Sequence, residues 1–148
     1  MGTVCITGAA GGIGAATRRR LERAGHRVIG VDLRDAEVEA DLATPAGRAA
    51  MVEQVDRACG GVLDGLVVGA GLNRGAPSLV VSVNYFGAVA TLEGLRPLLA
   101  RGRDAAAVVI GSNSATTMQG VVPAVVEACL AGDEAAAGFC SRQPEASE

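Results

Sequence analysis

Apolar positions along the chain fall into short continuous runs separated by longer stretches of helical period. The run Thr3–Thr7 is too short for a helix and enters a glycine cluster, which predicts a buried strand. From Gly12 to Ala24 the spacing is helical, with Ile13, Ala16 and Leu21 expected to face inward and Gly25 to stop the helix. "RVIGVD" at 27–32 is a second strand, and "VEADL" at 38–42 a short third. "LDGLVVG" at 63–69 and "AAAVVI" at 105–110 are two more. Thr44 as cap and Pro45 at the first helical position open a helix that runs to about Cys59. A long helix is expected from roughly Leu79 to Ala100 with a bend at Pro97, and another from Val121 to Ala137. Near-continuous apolar strands alternating with helices predict a parallel sheet covered on both faces, a Rossmann-like doubly wound α/β fold. The closing "CSRQPEASE" is polar, holds Pro144 and has no apolar period, so a domain over 1–138 and a disordered tail over 139–148 are expected.

Composition narrows this picture without changing it. With 148 residues the chain fits one domain, and with 2% aromatic residues and no Trp its core must be built from Ala, Val, Leu and Ile. The net charge of −3 and the dispersed arginines provide no basic stripe for nucleic acid, and the Arg18–Arg20 triplet reads as a solvated helix face. No apolar run approaches the ~20 residues of a membrane span, and the chain enters a strand without a basic leader, so a soluble cytoplasmic protein with no membrane partner is expected. Cys5, Cys59, Cys129 and Cys140 lack any CxxC or Cys/His spacing and give no support to a metal site. Cys5 is expected to pack within its strand, and His26 to sit in a helix-to-strand turn.

The chemistry lies in "CITGAAGGIGAATRRR". Gly8, Gly12 and Gly14 stand between a strand and a helix, where missing side chains let backbone N–H groups and the helix N-terminus approach a pyrophosphate. The spacing is T-G-x-x-x-G-x-G. Asp32 ends the second strand about 20 residues on, where an acid accepts hydrogen bonds from the adenosine ribose and repels a 2′-phosphate. That favours NAD over NADP, with Arg34 the one neighbour suited to a 2′-phosphate.

"TGAAGGIG", "VDLRDAEVEADL", "VVGAG", "VSVNYFGA" and "VVIGSNSA" together resemble, in order and spacing, the short-chain dehydrogenase/reductase family, most closely its bacterial 3α-hydroxysteroid dehydrogenase/carbonyl reductase branch. The resemblance covers residues 1 to about 138. It implies that Gly8, Gly12, Ile13 and Gly14 cradle the diphosphate, Asp32 holds the ribose, Asp41 and Leu42 lie beside adenine, and Ala70 and Gly71 pass beneath the cofactor. Gly69 replaces the Asn of many members. Asn84 matches the helix Asn that holds a water in the proton relay, and Ser112 the serine that orients the substrate carbonyl, with Gly111 in place of its neighbour and Ser114 as the fallback. The implied activity is hydride transfer between NAD(H) and a hydroxysteroid or other secondary alcohol or ketone.

Family chemistry also uses a Tyr-x-x-x-Lys pair, in which Lys lowers the pKa of the proton-transferring Tyr. These residues contain no lysine, and the one tyrosine, Tyr85, adjoins Asn84 on the earlier helix, where it is expected to pack. Residues 115–138 resemble the helical insertion that precedes the tyrosine helix in the branch. Two readings stay open: an oxidoreductase by descent, shortened by truncation or a frameshift, or a catalytically dead NAD-binding module. In either, apolar surface beside the long helix is expected to be exposed and to drive self-association.

Overall fold

Among the described residues, five short apolar runs pair edge to edge in a parallel sheet of order β3-β2-β1-β4-β5. The structure is a computed structural model that describes residues 1–113 and 122–141. Its strands are β1 (Thr3–Thr7), β2 (Arg27–Asp32), β3 (Val38–Glu39), β4 (Gly65–Val68) and β5 (Ala106–Val109). The helices are α1 (Gly12–Arg23), α2 (Pro45–Cys59), α3 (Pro77–Leu99), α4 (Pro123–Leu130) and α5 (Glu134–Cys140).

The period of two along the strands sorts the core into two layers. Cys5, Ile29, Val31, Leu66 and Val68 face α2 and α3, where Met51, Val55, Leu95 and Leu98 close over them. Val4, Ile6 and Val28 face the other way, with Ala9 and Leu21 of the α1 side. Cys5 is fully enclosed, and burial pushes its thiol up to about 12, so it packs as expected and is no nucleophile. A third cluster, Phe86, Cys129 and Ala137, fastens α4 and α5 to the start of α3.

Several elements differ from the sequence expectation for identifiable reasons. In α1, Ile13 and Ala16 are exposed, because Gly14 and Leu21 take the inward face. The contact of Gly14 with the loop before it sets the rotation of the whole helix. β3 stops at Glu39 instead of Leu42, since Asp41 turns the chain by accepting from Ala43 N–H at 2.9 Å and Thr44 N–H at 3.2 Å. Thr44 then caps α2 through Gly47 N–H, as read from the sequence. α3 starts at Pro77 and continues through Pro97 to Leu99, with a π-helical stretch over Ser82–Gly87. By length and composition α3 could cross a membrane; here it packs Thr91, Leu95 and Leu98 into the domain. The single helix expected over 121–137 is two, because Gly132, at φ +73°, breaks it and Asp133 caps α5 by accepting from Ala136 N–H. α5 runs to Cys140, two residues into the expected tail, and 142–148 lie outside the described residues.

The Arg18–Arg20 triplet is not uniformly solvated. Arg18 grips Glu22 and, through both terminal nitrogens, Glu37, whose carboxylate also accepts from Gly30 N–H at 2.9 Å. His26 follows Gly25, at φ +85°, in the turn between α1 and β2, as expected.

Three carboxylates are held below their ordinary range. Asp64 accepts from the N–H of Thr3 and of Arg103, Glu37 from Arg18, and Glu134 from Arg48, and in each case these bonds are the cause. A depressed folded pKa contributes stability that is complete above the unfolded pKa and is lost as pH falls through the folded one. The chain is therefore expected to hold its thermal midpoint from neutral pH to about 4.5 and to lose it steadily below about pH 4. Asp64→Asn should flatten that loss in thermal melts across the acid range; an unchanged slope would remove Asp64 from the account.

Candidate cofactor cradle at the strand switch point

Parallel pairing sends the carboxyl ends of all five strands to one edge of the sheet. There the chain leaves β1 toward β2 on one side, while β4 and β5 add on the other, opening a crevice between β1 and β4. Gly8 stands at that point with φ +75°, and a Cβ on it would lie 2.8 Å from Gly69 O and 2.9 Å from Ala70 Cα. Only glycine fits so close a passage. Gly14 is tighter still, since a Cβ there would come within 2.0 Å of Gly8 O.

The loop is folded on its own backbone. Gly8 and Ala9 N–H donate to Val31 O at 2.8 and 3.2 Å, Gly11 N–H to Gly8 O at 3.2 Å, and Ala15 N–H to Gly11 O at 2.7 Å. Gly12, Ile13 and Gly14 thus carry first-turn N–H groups that a helix leaves without an internal acceptor. α1 has no side-chain cap and no acidic residue in its first turn to occupy them. A Cβ on Gly12 would meet nothing within 4 Å, so the space above the helix end is open. Open space, forward-pointing donors and a positive helix end fit a diphosphate.

Asp32 stands beside this cradle. Its Oδ2 accepts from Ala10 N–H at 2.9 Å and its Oδ1 from Leu33 N–H at 2.8 Å, which fixes the carboxylate at the end of β2 and leaves each oxygen a further lone pair for a hydroxyl. The expected adenine neighbours divide: Leu42 is buried beneath Gly87, while Asp41 is exposed.

The opposite wall is held by two residues. Thr7, fully buried, uses Oγ1 to accept from Gly69 N–H at 3.1 Å and Ala70 N–H at 3.2 Å, binding the ends of β1 and β4 together. The sequence reading missed this role, although a threonine ending β1 opposite the unusual Gly69 was its signal. Asn84, in the π-helical stretch, accepts from Leu72 N–H at 2.7 Å and donates to Leu72 O at 2.9 Å. Both polar groups of its amide are engaged there, so it is the strut of the 70–72 loop. Tyr85 packs edge to face on Phe86 with ring centres 5.1 Å apart, as expected. Ser112 follows β5 at the same carboxyl edge and is exposed, while Ser114 lies outside the described residues.

A second residue the sequence reading missed is Arg48, buried on α2. Its Nε donates to Leu42 O at 2.7 Å and its Nη2 to Ala43 O and Ser82 O at 3.2 and 3.1 Å, and it meets Glu134 of α5 bidentately. Its guanidinium also lies over the Phe86 ring at 5.9 Å. One side chain thereby joins the 41–43 loop, the π-helical stretch and α5. Nothing in an arginine on a helix announces that it reaches Ser82 and Glu134, 34 and 86 residues away.

Comparison with known proteins bears on what this edge serves. The family model described as short chain dehydrogenase matches residues 2–125. The chain belongs to the short-chain dehydrogenase/reductase family. This short-chain dehydrogenase chain is 45% identical over 139 residues to the 3-alpha-hydroxysteroid dehydrogenase/carbonyl reductase of Comamonas testosteroni, covering 93% of its own length and 54% of the relative's. It is 41% identical over 91 residues to a coniferyl-alcohol dehydrogenase of Pseudomonas, covering 57% of this chain and 34% of that one. Among solved structures, the 3-alpha-hydroxysteroid dehydrogenase from Pseudomonas sp. B-0831, complexed with NADH, superposes with a TM-score of 0.89 at 52% identity, over 95% of this chain and 61% of that one. The chain thus spans about half the length of the Comamonas relative, which it matches over 93% of its own length.

Proposed function

We propose that these residues form the nucleotide half of an NAD-dependent oxidoreductase, soluble and cytoplasmic, that moves a hydride between NAD(H) and a hydroxysteroid or other secondary alcohol or ketone. The observation that carries the reading is the open, uncapped helix end at the switch point with Asp32 fixed beside it. The N–H groups of Gly12, Ile13 and Gly14 bind the diphosphate, the exposed Ile13 side chain borders it, Asp32 takes the ribose hydroxyls, and Ala70 and Gly71 form the floor. When bound, the nicotinamide supplies the site for hydride gain or loss. Ser112 orients the substrate carbonyl, and Asn84 acts through the loop it holds. A carboxylate anchored by two backbone N–H groups cannot swing away from a 2′-phosphate, which favours NAD over NADP; the NADH complex of the Pseudomonas relative is in keeping with that choice.

A second reading, an NAD-binding module without turnover, is favoured by the side chains themselves. The 148 residues hold no lysine, and Tyr85 is packed on Phe86 in the third cluster. They therefore supply no activated proton donor, and general acid–base catalysis is worth typically about 10²–10⁴-fold. Residues 1–148 are expected to oxidise NADH in the presence of a steroid or aliphatic ketone no faster than NADH and ketone react without protein. Turnover above that background, absent from an Asp32→Ala control, would establish catalysis by this chain and overturn the second reading.

A further inference from the structure

We propose that Arg18 is a positioning residue for the cofactor: by gripping Glu37 it ties the loop that follows Asp32 to the helix that presents the diphosphate donors, and so sets the preference for NAD over NADP. The inference rests on the NAD site proposed above and extends it to two side chains set behind it. Arg18 stands one turn of α1 beyond Gly14, and the strand residue that Glu37 contacts, Gly30, lies two residues before Asp32.

The two halves of the cradle belong to different elements, so something must fix one against the other. Asp32 ends β2 and opens a loop over 33–37, and its Oδ1 takes Leu33 N–H, so the aim of the carboxylate depends on how that loop leaves the strand. The loop passes through a left-handed residue, Asp35 at φ +59°, a conformation that persists only where its surroundings hold it. Hydrogen bonds within the segment run from Ala40 N–H to Asp32 O at 2.9 Å and from Asp35 N–H to Glu39 Oε1 at 3.1 Å. Glu37 supplies the tie to α1.

Arg18 meets it with every guanidinium nitrogen placed. Nε donates to Glu22 Oε1 at 2.8 Å, Nη1 to Glu37 Oε2 at 2.9 Å and Nη2 to Glu37 Oε1. Glu37 Oε2 also accepts Gly30 N–H at 2.9 Å, one residue ahead of the β2–β3 pairing that begins at Val31 and Val38. A Cβ on Gly30 would lie 2.8 Å from Ala9 Cβ, 2.9 Å from Glu37 Oε2 and 3.0 Å from Arg18 Nη1, so strand, ion pair and glycine loop converge on one point. Exposed ion pairs usually contribute little, because two long side chains lose freedom in forming them. This one differs in kind: the fork is bidentate, Glu22 orients the guanidinium beforehand, and β2 holds the carboxylate. With the loop so held, Asp32 cannot withdraw from a 2′-phosphate.

Calorimetric titration of Arg18→Met with NAD and with NADP tests the proposal. The variant, with unchanged circular dichroism, is expected to bind NAD more weakly and to narrow the NAD-over-NADP affinity ratio about tenfold or more, since a slackened Asp32 no longer forces like charges together. Arg18→Lys keeps the charge without the fork and should fall between Arg18→Met and the parent. Glu37→Gln should shift the ratio the same way, and the double variant Arg18→Met, Glu37→Gln no further than Arg18→Met alone, because the two side chains act as a pair. In the nucleotide-free chain, Arg18→Met should speed amide exchange over 33–39 and leave β1 and β4 unchanged. A ratio that stays at the parent's value would overturn the proposal, whether both affinities fall together or neither moves, and so would unchanged exchange over 33–39. A parent that binds no NAD would instead remove the site itself, and this inference with it.

Discussion

Gly14→Ala is expected to abolish measurable nucleotide binding while leaving the sheet folded. The added methyl would sit 2.0 Å from Gly8 O, well inside any real carbon–oxygen contact, and its neighbour is backbone that cannot rotate away. Relief requires the loop and the first turn of α1 to part, which carries the N–H groups of Gly12 and Ile13 off their common aim. Overpacking of this kind costs about 1–3 kcal/mol of stability. Hydrogen bonds to a charged group contribute about 1.5–3 kcal/mol each, so losing two of them weakens binding on the order of a hundredfold or more. Gly12→Ala is the internal comparison, because its Cβ enters open space: stability should hold, and only the approach of a ligand should suffer. Equal melting of Gly14→Ala and the parent, with equal affinity for NAD, would show that the loop geometry does not govern the site.

Arg48→Met carries the second large effect. The substitution keeps apolar bulk near Phe86 but strips the partners from Glu134 and from the carbonyls of Leu42, Ala43 and Ser82. Breaking a buried pair from one side typically costs about 3–5 kcal/mol, and the partial exposure of Glu134 places this case near 3. Glu134→Gln should cost less, because Arg48 retains its three carbonyl acceptors. Arg48→Met is also expected to loosen α4 and α5, seen as faster amide exchange over 123–140, since the ion pair and one small apolar cluster hold them. Urea unfolding reads both variants. If each stays within about 0.5 kcal/mol of the parent, the pair is a surface accessory.

What the chain disclosed in advance is what depends on local pattern. The strand runs other than the third, the Thr44–Pro45 helix start and the placement of the glycine loop and Asp32 at the strand ends are each set by short-range chemistry, while β3 is cut short at Glu39 by the turn at Asp41. The rotation of α1 was not legible, because apolar spacing pointed Ile13 inward while close packing of Gly14 on Gly8 turned it out. The split between α4 and α5 hung on one left-handed glycine, Gly132, inside a run that otherwise reads as a single helix. The π-helical stretch that carries Asn84, and the reach of Thr7 and Arg48 to distant backbone, are tertiary facts. They join segments with no common period or motif, so no reading along one dimension exposes them.

The proposed NAD site around Asp32 stands or falls on one titration. Calorimetric titration of the folded chain with NAD, beside Asp32→Ala, tests it most directly. Saturable one-site binding to the parent is expected, lost in the variant and far weaker for NADP. A folded chain that takes up no NAD, or an Asp32→Ala chain that binds it equally well, would contradict it.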